Sequence, residues 1–172
     1  MAKNRTGRAA ARFAREWVRS VKKVKRRRRG DPSARPTRNA APARQASYQA
    51  RHEADRQQRN GRTNGTAEAV TTRDGRHTAT SVSDAPENIY PHHREVAGAL
   101  DRVPQNLRAP WHGNCALPQS LSKLLDRGVD PRGGSVGAAR IRAPGHPGHG
   151  AHNPCCNSCI SLRRTFDLRE VL

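Results

Sequence analysis

The side chains that build a protein core are nearly all confined to one part of this chain. Of its 24 Leu, Ile, Val and Phe residues, only Phe13, Val18, Val21 and Val24 precede residue 67. A highly charged segment so poor in large apolar residues cannot bury enough surface to offset its conformational entropy. The remaining 20 suffice for one small core. The expected organisation is therefore a disordered basic leader and linker over residues 1–66 and one folded domain over residues 67–172. No apolar run approaches the roughly 20 residues of a membrane span. The basic start is not followed by the apolar segment of a secretory signal.

Charge divides at the same place. The chain carries a net charge of +19; residues 1–60 hold 19 basic and four acidic side chains, and residues 61–172 hold 14 and 10. The run Lys22-Lys23-Val24-Lys25-Arg26-Arg27-Arg28-Arg29 attracts phosphates and releases their counterions on contact. The leader is thus either a solvated, self-repelling tail or a segment that binds nucleic acid or another acidic surface. Phe13, Trp17, Val21 and Val24 fall at helical spacing, so residues 9–24 read as a basic amphipathic helix. Residues 31–66, rich in Pro, Ala, Arg, Gln, Asn and Gly, read as linker.

From residue 67 the pattern becomes that of a mixed α/β domain. Segments 67–73 and 76–82 flank Asp74-Gly75, which predicts a β-hairpin closed by a tight primed turn. A helix is expected over 92–101. Another is expected over 115–127, where Leu117, Leu121, Leu124 and Leu125 form the buried stripe and Gly128 the stop. A strand over 135–142, a loop rich in Gly, Pro and His, a helix opening at Pro154 and a strand over 166–172 complete an α/β sandwich around one sheet.

The four cysteines, Cys115, Cys155, Cys156 and Cys159, avoid the leader entirely. Three within five residues do not suit a disulfide framework. Cys156-Asn157-Ser158-Cys159 is a C-x-x-C at a helix start, where one turn brings both sulfurs to one face and the helix N-terminus favours thiolates. Cys115, at a second predicted helix start, makes a third donor. Three thiolates leave the fourth position of a zinc ion open, as a catalytic site requires. The alternatives are a closed structural site completed by His149 or His152, and free or redox-active thiols. His146, His149 and His152 recur every third residue and read as part of a loop at the mouth of a pocket. No serine finds a base-and-acid pair, and Gly133-Gly134 follows a helix and precedes a strand, the wrong order for a dinucleotide site.

In Trp111-His112-Gly113-Asn114-Cys115-Ala116, Gly128-Val129-Asp130-Pro131-Arg132-Gly133-Gly134 and Cys156-Asn157-Ser158-Cys159, the chain resembles the YwqJ-related deaminases. These are associated with bacterial polymorphic toxins. The resemblance covers residues 67–172 and implies a small cytidine-deaminase-like α/β/α sandwich. It implies Zn2+ held by Cys115, Cys156 and Cys159, and Trp111, His112 and Asn114 against a nucleobase-containing substrate or nucleic acid. It implies hydrolytic release of an amine, an immunity protein as a further partner, and a bacterial effector that is cytoplasmic or secreted. Two departures stand out. Cys155, outside the C-x-x-C register, is a spare thiol or an alternative ligand. Leu117 occupies the place where the family has the Glu that serves as general acid/base. The expectation is a deaminase-type domain impaired for want of that carboxyl, which Leu117→Glu would restore. The alternatives are an inactive zinc-stabilised binding module and a basic nucleic-acid-binding protein.

Residues 1–60 are expected to bind DNA or RNA weakly and without sequence preference, with affinity falling steeply in salt because counterion release drives it. A filter-binding or anisotropy titration over a range of salt concentrations measures this, and salt-resistant tight binding would contradict it.

Overall fold

The computed structural model describes residues 40–171. The predicted helix over 9–24, the basic run and the first part of the expected linker lie outside the described residues. Within them, the elements in chain order are α1 (Ala40–Arg59), β1 (Asn64–Thr71), β2 (Thr78–Val82), α2 (Arg94–Asp101), α3 (Ala116–Leu125), β3 (Ser135–Arg142), α4 (Asn157–Thr165) and β4 (Arg169–Val171), with short 3-10 turns at Pro86–Asn88 and Gln105–Leu107. The four strands form one sheet in the order β2-β1-β3-β4. β1 is antiparallel to both β2 and β3, and β4 is parallel to β3.

Alternation along β1 sorts the core into two faces. Ala67 and Ala69 join Ala139 and Ile141 of β3 against Ala50 and Ala54 of α1. Val70 and Val136 point the other way, into a larger core with Leu117, Leu121 and Leu124 of α3, Val96 and Leu100 of α2, and Leu162 of α4. Helices therefore cover both faces, α1 on one side and α2, α3 and α4 on the other.

The expected domain boundary at residue 66/67 is corrected by α1, which lies in the stretch read as linker. Pro42, Ala46, Ala50 and Ala54 are buried, one every four residues along a single stripe, with Glu53 buried beside them. Alanine is the best helix former and is also small. A stripe of alanines thus brings the helix backbone close to the sheet without a large side chain between them. Gly137 of β3 completes the fit: a Cβ there would stand 2.7 Å from the carbonyl carbon and oxygen of Ala46. A count of large aliphatic residues cannot see such a helix.

The remaining elements follow the sequence pattern, with one further correction at the hairpin. Asp74-Gly75 does not form a two-residue primed turn. Such a turn needs two positive φ angles, and here only Gly75 has one, at +75°. The strands end earlier, at Thr71 and Thr78. The loop is closed by His77 and Thr72, with the Thr72 N–H donating to the His77 carbonyl at 2.9 Å and the Thr72 hydroxyl donating to Asp74 at 2.6 Å. No helix among the described residues is long and apolar enough to cross a membrane.

A chain shortened to residues 61–172 should lose cooperative thermal unfolding, because one face of the sheet is uncovered. In the full chain, Gly137→Ala should cost about 1–3 kcal/mol by overpacking. Gly98→Ala, inside α2 where an added methyl meets only the end of Arg102, should be neutral or stabilising by about 0.5–1 kcal/mol. Urea titration of the two variants measures the contrast.

Candidate metal centre

The chain path brings two helix N-termini to the same place. α3 starts beside the end of β2, where the Gln119 amide donates to the Val82 carbonyl at 2.8 Å. One turn on, Lys123 donates to the Thr80 carbonyl at 3.0 Å. In the sheet register this direction runs against β3. α4 lies in the crossover between the parallel strands β3 and β4, so it also runs against β3. After β3 the chain turns back along the same strand edge: Ala139 bridges to His152, and the Asn153 N–H reaches the Ala138 carbonyl at 3.3 Å. β4 takes the first half of that edge, pairing at Ser135–Gly137. The two segments part at the middle of β3, and α4 begins there.

Cys115 is the N-cap of α3, and Cys156 the N-cap of α4. Cys159 follows in the first turn of α4. The three sulfurs all lie within 4.8 Å of one another, an arrangement that can hold a metal ion. Cys115 Sγ and Cys156 Sγ are 3.6 Å apart; a tetrahedral ion with metal–sulfur bonds of about 2.3 Å holds its sulfurs about 3.8 Å apart. Cys156 is the preferred thiolate. Hydrogen bonds from the Cys115 and Cys159 thiols, and then the backbone N–H groups of Cys159 and Ser158, hold it well below the ordinary thiol range. The same bonding holds Cys115 and Cys159 above that range.

Cys155 stands apart. It is outside the three-sulfur cluster, and burial, followed by the charges of Glu68 and Glu170, pushes its thiol up to about 12. The histidines are occupied elsewhere. His149 bonds Asp55 of α1 at 2.9 Å and accepts the Arg142 N–H, while His152 faces Glu170 at 3.3 Å. Neither joins the sulfurs, and the His-rich loop does not line the cavity above them, contrary to expectation.

That cavity has a volume of about 770 Å³, and Cys115, Cys156 and Cys159 form part of its wall. Trp111 and Asn114 line it as expected, with Trp111 54% exposed. His112 does not line it; its Nδ1 pairs with the Ser158 hydroxyl at 2.8 Å, tying the 109–114 loop to the first turn of α4. Asn153 enters from the returning strand and donates to the Thr66 hydroxyl at 2.6 Å.

Leu117 is fully buried in the core with Leu121 and Leu124 and does not face the cavity. The resemblance implies a pocket-facing side chain at this position; here Leu117 packs in the core instead, in a cluster that also contains Cys115 and Cys159. Two acids line the cavity: Asp84, which is paired with Arg62 at 3.0 Å, and Glu68 of β1. Glu68 is 4% exposed, and its Oε2 is enclosed without a hydrogen-bond partner among the described residues. Burial, then the negative charges of Cys156 and Glu170, pushes its carboxyl up to about 8. Sequence reasoning passed over it as a hairpin residue. The available signal was a single acid between Ala67 and Ala69-Val70, in a strand that α1 makes a two-faced buried one.

Comparison with known protein families, curated proteins and solved structures finds no match. The chemistry of the site therefore has to be argued from its own side chains.

Cys115→Ser, Cys156→Ser and Cys159→Ser should each release the metal from a chain that otherwise holds one ion, and Cys155→Ser should retain it. Metal-to-protein stoichiometry by mass spectrometry or atomic absorption checks this. Loss of metal in Cys155→Ser but not in Cys156→Ser would move the site by one residue.

Proposed function

We propose that residues 40–171 form a zinc-dependent hydrolytic domain of the nucleobase-deaminase type, cytidine-deaminase-like in fold and allied to the YwqJ-related family. The observation that carries this reading is the convergence of three thiols from two helix N-termini on the wall of an open cavity. Soft thiolate donors in a tetrahedral arrangement favour zinc, and three protein ligands leave the fourth position toward the cavity. The absence of either histidine from the sulfur cluster counts against a closed structural site. Held there, zinc would supply the electrophilic assistance that makes water a nucleophile at neutral pH.

The rest of the cavity suits an amine-bearing heterocycle. Its volume falls within the range of small-molecule sites, on the order of 300–1,000 Å³. Exposed Trp111 at the wall offers a face on which a base can stack. Asn114 and Asn153, both on the wall, carry amides that can donate and accept at a base edge. On this reading the substrate is a cytosine- or adenine-type base, free or in nucleic acid. The chain is then a toxin-type effector whose further partner is an immunity protein. The expected impairment rested on Leu117, which is a core residue, so activity turns on whether another group carries the proton.

The zinc-loaded chain should release ammonia from at least one member of a panel of cytosine and adenine nucleosides and single-stranded oligonucleotides, and each of the three cysteine variants should not. Leu117→Glu should create no activity. It should instead destabilise the chain by about 3 kcal/mol or more, the cost of an uncompensated charge in a core. Stoichiometric zinc with no ammonia from the whole panel would favour the inactive binding module.

A further inference from the structure

We propose that Glu68 is the proton carrier of this site, taking a proton from the attacking water and returning it to the substrate from the sheet rather than from α3. The identity of the substrate rests on the deaminase-type reading; the placement of the carboxyl does not.

Three observations lead here. Glu68 projects from β1 on the face shared with Val70, toward α3 and α4. Its cross-strand neighbours are the small residues Ser81 on β2 and Ala138 on β3. The Ser120 hydroxyl contacts the Glu68 carbonyl at 3.4 Å, fixing this point of the strand against α3. The carboxyl is almost wholly enclosed, yet Oε2 has no hydrogen-bond partner among the described residues. Arg163, whose charge acts on Glu68, is paired with Glu170. A buried carboxyl oxygen without a bonded partner lowers stability. Glu68 lines the same cavity as the three cysteines without belonging to the metal-binding set. A proton carrier needs both: a place on the cavity that the metal site opens into, and freedom from coordination.

The step balances without any oxidant or reductant. Water oxygen bonds to the amine-bearing ring carbon while Glu68 takes a water proton and delivers it to the adjacent ring nitrogen. Glu68 then takes the remaining hydroxyl proton as the carbonyl forms, and passes it to the departing amine. The carbon–nitrogen bond breaks, and ammonia leaves.

The test compares wild type with Glu68→Gln and Glu68→Asp in the zinc-loaded full chain. It reads zinc content, melting temperature, ammonia release from the base panel, and zinc-dependent cleavage of p-nitrophenyl acetate, which asks only for activated water. Glu68→Gln should keep one zinc per chain and melt at the same or a higher temperature. It should lose about 10²–10⁴-fold in ammonia release and at least tenfold in ester cleavage, with Glu68→Asp recovering part of both. Ester cleavage that depends on Glu68, without ammonia from any base, would overturn the deaminase reading and leave Glu68 in place. The Glu68 assignment falls if Glu68→Gln loses zinc, melts several degrees lower, or keeps both rates. It falls equally if the zinc-loaded wild type cleaves neither substrate.

Discussion

Strand β3 is covered on both faces and paired along both edges, and everything else is arranged around it. Its Val136 anchors the larger core, while Ala139 and Ile141 pack under α1. One edge pairs with β1 along its full length. The other is shared by β4 and the segment returning through His152. Without a side chain at Gly137, the backbone of α1 can rest on the strand. A buried strand with α3 and α4 both antiparallel to it on one face leaves two helix N-termini at one end of the sheet, and these carry the three clustered thiols. The site is thus a consequence of the topology, in the way that α/β sheets place ligands where connections diverge from a strand.

The polar content of this region works against the stability of the metal-free molecule. Three thiols within bonding distance cannot all ionise; Cys156 holds the charge, and its neighbours keep their protons. A metal ion reverses that balance, because its ligands must be deprotonated and binding expels the protons. Glu68 adds a carboxyl that burial keeps protonated well above the usual carboxylate range. A core built only for stability would place an apolar side chain there. The retention of charge-bearing groups at the junction of β1, α3 and α4 is the physical reason for regarding this junction as a chemical site.

The relation between Leu117 and Glu68 shows what spacing along a chain can and cannot specify. Two residues after a ligand on a helix start is close to the metal in sequence, but the helix direction there turns the side chain inward, among Leu121 and Leu124. Glu68 lies 47 positions before Cys115 in the numbering and reaches the same cavity from the sheet. Proton transfer depends on distance in space, so on the proposed reading a carboxyl from the sheet can act where the helix offers none.

The α/β class, the order of elements from the hairpin to the closing strand, and the three metal-capable thiols were all readable from the amino-acid sequence. These rest on local causes: alternation in 135–142, a leucine stripe ended by Gly128, and a C-x-x-C at a helix start. Three features were decided only by tertiary structure. α1 was hidden because its buried stripe is alanine, whose burial means little until a glycine-containing strand lies beneath it. The hairpin turn widened because Thr72 and His77 found each other across the loop. Glu68 became a site residue only when α1 closed one face of β1 and α3 and α4 closed the other. Burial is a property of the surroundings, and a carboxyl's chemistry follows its burial.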